Sequence, residues 1–110
     1  MEKSLIDEIL RFRDARNWKQ FHNPKDLAIS LSIEASELLE CFQWASSAEA
    51  LASRREQIAE ELADVMIYAA LLAEATGLDL EAITRAKLAV NAEKYPVEKA
   101  YGRKDKYDRL

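Results

Sequence analysis

Hydrophobic positions recur at helical spacing along most of the chain. In "EKSLIDEILRFRDARN", Leu5, Ile6, Ile9, Leu10 and Phe12 follow that spacing, which predicts a short amphipathic helix. After "WKQFHNPKDL" a second helix begins, because Asn23 suits a cap and Pro24 the first helical position. It is predicted to run from Pro24 to about Trp44. "SSAEALASRRE" reads as a connection with room for a short helical piece. Ser46 with Glu49, and Ser53 with Glu56, both have capping-box spacing, so either serine is a candidate start for the third helix. That helix is predicted to continue to Thr76 and stop at Gly77. Asp79 can cap a fourth, which ends near Lys94 before Pro96. The charged tail "VEKAYGRKDKYDRL" is predicted to be loose. The fold class is all-α, with about four helices.

Four acids interrupt this pattern. On a wheel of about 100° per residue, Leu27, Ala28, Leu31, Ala35, Leu38, Leu39 and Phe42 form one broad apolar face of the second helix. Ile29, Ile33 and Trp44 form another, on the far side. Glu34 and Glu37 fall in the gap between them. In the third helix, Ile58, Leu62, Val65, Met66, Ala69 and Ala73 make one face. Glu61 and Asp64 lie beside it, and Tyr68 extends their stripe. Each pair is spaced i, i+3, so its side chains reach neighbouring points of one surface.

Composition narrows the setting. The chain has 110 residues, 49% hydrophobic and 33% charged, which suits one globular domain. We read a single domain over residues 1–110, with a core of about 18–96 and a tail of 97–110. Two Gly and two Pro are too few for a turn-rich β fold. The net charge of −4 argues against nucleic acid as a partner. Cys41 is the only cysteine, which excludes an intrachain disulfide and suits a reducing compartment. The first residues carry no signal-peptide pattern, and no apolar run is long enough to span a bilayer, so no membrane partner is expected. The expected location is the cytoplasm.

Acid pairs on helices are commonly solvated, and Glu40, Glu49, Glu56 and Glu60 read that way. Glu34, Glu37, Glu61 and Asp64 do not, since apolar positions flank them and no Lys or Arg follows at i+4 in the same helix. Carboxylates set against one another repel unless a divalent cation lies between them. Oxygen ligands without imidazole or thiolate suit Mg²⁺ or Mn²⁺. A di-iron bundle calls for Glu-x-x-His, and His22 lies far from both pairs in sequence. Carboxylate-held Mg²⁺ keeps positions for water and phosphate oxygens, which points to phosphate chemistry. No Gly-rich phosphate loop is present.

The residues "WKQFHNPKDLAISLSIEASELLECFQW", "EELADVMIYAALLA" and "NAEKYP" resemble the MazG-like, all-α nucleoside triphosphate pyrophosphohydrolases, in the compact branch similar to dCTP pyrophosphatase. The resemblance implies an antiparallel helical bundle completed by oligomerisation, as a homo-oligomer with a tetramer ahead of a dimer. It implies Mg²⁺-dependent hydrolysis of a (deoxy)nucleoside triphosphate to monophosphate and pyrophosphate, a role in nucleotide-pool sanitation. Glu34, Glu37, Glu61 and Asp64 match its metal signature. His22 and Trp44 would contact the base, with Trp18 and Gln20 as further contributors. Tyr68 would contact substrate or fill core. Lys87, Asn91 and Lys94 form one polar stripe that would hold phosphate oxygens, with Asn91 and Lys94 inside the matching motif. The competing reading is a non-catalytic helical module that binds a nucleotide or a basic protein surface.

Overall fold

Helix boundaries follow local capping chemistry. A computed structural model describes residues 1–110 and contains six α-helices and no strand. They are α1 (Lys3–Ala15), α2 (Pro24–Glu40), α3 (Ser47–Ser53), α4 (Arg55–Ala75), α5 (Leu80–Lys94) and α6 (Val97–Ala100). The Asn23 side chain accepts from the Asp26 amide at 2.9 Å and starts α2. Ser46 accepts from the Glu49 amide at 3.1 Å and starts α3. Asp79 accepts from the Ala82 amide at 2.9 Å and starts α5. α1 and α4 end alike. Asn17 and Gly77 take left-handed backbone, and the next amides, of Trp18 and Leu78, reach back to the carbonyls of Arg13 and Ala73. Gly adopts that conformation freely and Asn tolerates it.

The all-α expectation holds, and its details change. There are six helices rather than about four, because the connection and the tail each hold one. Ser53 does not cap: its hydroxyl donates to the Glu49 carbonyl within α3, and α4 starts without a side-chain cap. α2 stops at Glu40, short of Trp44. Beyond Glu40 the backbone tightens, with the amides of Phe42 and Gln43 bonding the carbonyls of Leu39 and Glu40, and it turns left-handed at Trp44. Arg54 Nη1 also donates to the carbonyls of Glu40 at 3.3 Å and Cys41 at 3.1 Å. The tail is not formless: besides α6, residues Tyr107–Arg109 make a 3₁₀ turn.

The chain divides into two compact units, Met1–Leu78 and Asp79–Leu110. In the first, α4 packs mainly on α2 and also touches α1 and α3. Arg54 ties the head of α4 to the end of α2, and further along both helices Glu34 lies beside Glu61 and Asp64. α2 and α4 therefore run antiparallel. The buried apolar residues are Leu27, Cys41, Ala50, Ala70, Leu71 and Ala73. This core is thin. Leu39, Leu62 and Met66, expected on inward faces, stay exposed, as do Ile29 and Ile33. A helix packed mainly against one other covers one stripe of itself, so a broad apolar face is left partly open. In the second unit, Tyr107 packs edge-on against Tyr95 with ring centroids 6.2 Å apart, folding the tail back on the end of α5.

Candidate metal centre and its adjoining cavity

The i, i+3 registers of two antiparallel helices bring acids together at mid-length. Glu34 of α2 and Glu61 and Asp64 of α4 each offer a carboxylate oxygen, and these oxygens lie within 4.8 Å of one another. Glu37 stands next to them without joining the tight trio. Glu34 Oε2 and Glu61 Oε2 are buried and have no hydrogen-bond partner. Such orphaned buried acceptors are costly unless a cation or a proton meets them.

Electrostatics agree with the geometry. Burial, then the adjacent Glu37 carboxyl, then the charges of Glu37, Asp64 and Glu61 push the Glu34 carboxyl up to about 7 from an ordinary 4.5. Glu61 is raised as well, by burial first and then by Glu37 and Asp64. In isolation the cluster favours holding a proton, first because burial disfavours its anions and then because the acids repel one another. The donor set is all oxygen, with two unpartnered atoms, and it fits a hard divalent cation such as Mg²⁺.

Asp64 also lines a cavity of about 240 Å³. Ile9, Phe12, Ile67 and Leu71 supply apolar walls, and Trp18, His22, Tyr68 and Arg13 complete it. Trp18 meets Phe12 edge-on with centroids 5.9 Å apart. His22 Nδ1 is buried without a partner. Thus His22, Trp18 and Tyr68 share one concave surface with a member of the acid cluster. Gln20 is otherwise engaged, its amide donating to the Asn17 carbonyl at 3.0 Å. Trp44 stands in solvent, 93% exposed, on a left-handed backbone with φ of 65°. That conformation is uncommon for a bulky residue.

On α5, Lys87 and Asn91 line a shallow groove of about 370 Å³ with Ile83, Thr84 and Leu88. Lys94 Nζ lies 4.8 Å from the centroid of the Tyr107 ring.

Arg13 was not anticipated from the sequence. It is 5% exposed, and it donates from Nε to Asp14 and from Nη1 to Glu74, each at 2.8 Å. An arginine near the end of an amphipathic helix reads as solvated. Its partner Glu74 is 61 residues away, so no local spacing signals the pair.

Comparison with known proteins adds three findings. Residues 29–110 match the MazG-like family. The chain is similar to dCTP pyrophosphatase 1 of Rattus norvegicus and of Homo sapiens, each 38% identical over 104 residues that cover 90% of this chain. It spans about 61% of the length of those relatives. Its structure is similar to that of a pyrophosphatase from Archaeoglobus fulgidus, with a TM-score of 0.80 and 41% identity over 86% of this chain and 91% of that one.

Proposed function

Because this chain belongs to the MazG-like family, we propose that it is a Mg²⁺-dependent nucleotide pyrophosphohydrolase that converts a (deoxy)nucleoside triphosphate to the monophosphate and pyrophosphate. The observation that carries the proposal is the trio Glu34, Glu61 and Asp64, with oxygens within 4.8 Å and two of them buried and unpartnered, opening onto a cavity through Asp64. The names of the similar proteins, dCTP pyrophosphatase 1 and pyrophosphatase, support it.

Glu34, Glu61 and Asp64 would hold the metal, with Glu37 beside them. When bound, Mg²⁺ neutralises charge on phosphate oxygens and lowers the pKa of water. The apolar walls exclude bulk solvent from the base, and Trp18 offers an aromatic surface to it. His22 Nδ1 is free to meet a polar group of the ligand. Tyr68 lines the same wall as Asp64 and can reach a sugar or phosphate oxygen. Contacts by Trp44, Lys87, Asn91 and Lys94 are proposed on the resemblance. Hydrolysis would proceed by attack of water at the α-phosphorus, with pyrophosphate leaving.

Product analysis tests the reaction. A panel of triphosphates with Mg²⁺ is expected to yield pyrophosphate and nucleoside monophosphate for at least one member. Release of orthophosphate alone would exclude the reaction.

We also propose a homo-oligomer, with a tetramer ahead of a dimer, supported by the exposed Ile29, Ile33, Leu62 and Met66. These residues leave apolar surface that a copy can cover. Light scattering is expected to give a multiple of 12.5 kDa, and Ile33→Glu is expected to shift it to a smaller species. A monomeric mass for the unaltered chain would exclude assembly.

A further inference from the structure

Arg13 is the one buried charged residue, and the metal chemistry leaves it unused. Burying a guanidinium is costly unless its donors are matched, and here the match is incomplete. Nε and Nη1 are bound by Asp14 and Glu74, and Nη2 has no hydrogen bond. Arg13 lines the cavity that also carries His22 and Asp64.

Charge decides what this side chain can read. Arg13 contributes one positive charge, while Asp14 and Glu74 together contribute two negative ones. The triad is net negative, and Asp64 adds to that on the same cavity wall. Such a site does not attract a phosphate group. A guanidinium donates only, so its partner must be an acceptor, and a neutral one. The walls are otherwise apolar and aromatic, which suits a flat ring. At about 240 Å³ the cavity is below the ~300–1,000 Å³ of sites that enclose a whole ligand. It therefore takes one part of a nucleotide.

We infer that Arg13 reads the base of the bound nucleotide: its guanidinium, held by Asp14 and Glu74, donates from Nη2 to a carbonyl oxygen or ring nitrogen on the base edge. The inference rests on the nucleotide reading of the site and adds the group that discriminates among bases.

The test is equilibrium binding to the full chain with Mg²⁺. The probes are the deoxynucleoside 5′-monophosphates of cytosine, thymine and adenine, and 2-deoxyribose 5-phosphate, which has no base. Arg13→Lys keeps a positive charge near Glu74 and loses the fork. It is expected to weaken the best base-bearing probe by about tenfold, the loss of one charge-assisted hydrogen bond, and to leave 2-deoxyribose 5-phosphate unchanged. Glu74→Gln keeps Arg13 and loosens its orientation. It is expected to weaken the same probe by about threefold, and it decides the matter if Arg13→Lys does not fold. Equal weakening of the probe without a base would overturn the inference, because Arg13 would then act through the fold alone. So would unchanged affinities in both variants, or an unaltered protein that binds no base-bearing probe better than the sugar phosphate. Arg13-dependent binding without triphosphate hydrolysis would uphold the inference and remove the pyrophosphohydrolase proposal. Hydrolysis with base preference unchanged in both variants would do the reverse.

Discussion

Glu34→Gln is expected to abolish triphosphate turnover and to raise the melting temperature of the metal-free protein. Glutamine keeps the shape of glutamate and removes the charge. In the metal-free cluster Glu34 is the group most strongly disfavoured as an anion, being pushed up to about 7 by burial and then by Glu37 and the other acids. Neutralising it relieves repulsion with Asp64 and Glu61, and melting should rise by about 4 °C, the shift produced by roughly 1 kcal/mol in a chain of this size. The same change removes an anionic group from the trio proposed to hold the metal. Loss of groups that merely support a metal ligand costs about 10–100-fold, so loss of the ligand should cost more than about 100-fold in turnover. Calorimetry without metal and a product assay with Mg²⁺ read the two effects separately. A variant that melts lower without metal and hydrolyses at the wild-type rate would remove Glu34 from the site.

The second expectation concerns pH. The folded-state value for Glu34, about 7, lies above its ordinary 4.5. Between those values the folded chain keeps a proton that the unfolded chain has released. Metal-free stability is therefore highest below about pH 4.5 as far as this group is concerned, falls as pH rises, and levels off above about pH 7. Glu61 shifts in the same direction and adds to the trend. Asp14 shifts the other way, held below 3.8 by the Arg13 side chain, so its contribution disappears only in more acidic solution. In the proposed site Mg²⁺ would compete with the proton for the same oxygens, and its binding is expected to strengthen over the window in which bare stability declines. Melting curves from pH 5 to pH 8 should slope downward with chelator present. With saturating Mg²⁺ the slope should flatten or reverse. Metal-free melting that climbs steadily over this range would contradict the cause assigned to the Glu34 shift.

Much of this was readable from local sequence. Asn23, Asp79 and Gly77 mark helix ends by their own chemistry, and the structure uses all three as such. The convergence of Glu34 with Glu61 and Asp64 was also legible, because i, i+3 spacing fixes which face an acid occupies. What was not legible depended on distant partners. "ECFQW" carries no Gly or Pro stop signal, yet the backbone tightens there, turns left-handed at Trp44, and has its carbonyls of Glu40 and Cys41 met by the distant Arg54. Ser46 and Ser53 had equal claims as caps by spacing; in the fold Ser46 accepts from the Glu49 amide, while the Ser53 hydroxyl donates back to the Glu49 carbonyl inside α3. Leu39, Leu62 and Met66 look like core residues on any wheel, but a wheel does not count the neighbours that cover them, and here they stay exposed. Arg13 was missed because the residue that holds it, Glu74, lies near the far end of α4.

The contact made by Arg54 bears on how this chain can be altered. It reaches back 14 residues to close the last turn of α2. The final turn of α2 is therefore held twice: the amides of Phe42 and Gln43 reach back to the carbonyls of Leu39 and Glu40, and Arg54, beyond the intervening segment, adds its side chain. Residues 42–53 behave as a cassette anchored by Ala50 inside and Arg54 at its exit. Replacing the other positions of that segment, Trp44 aside, is expected to leave the α2–α4 register and the spacing of the acids intact, because α2 and α4 pack mainly on each other. The hairpin is thus a scaffold for loop libraries displayed on a fixed acidic centre, so a search for new ligand preferences can vary the loop without redesigning the core.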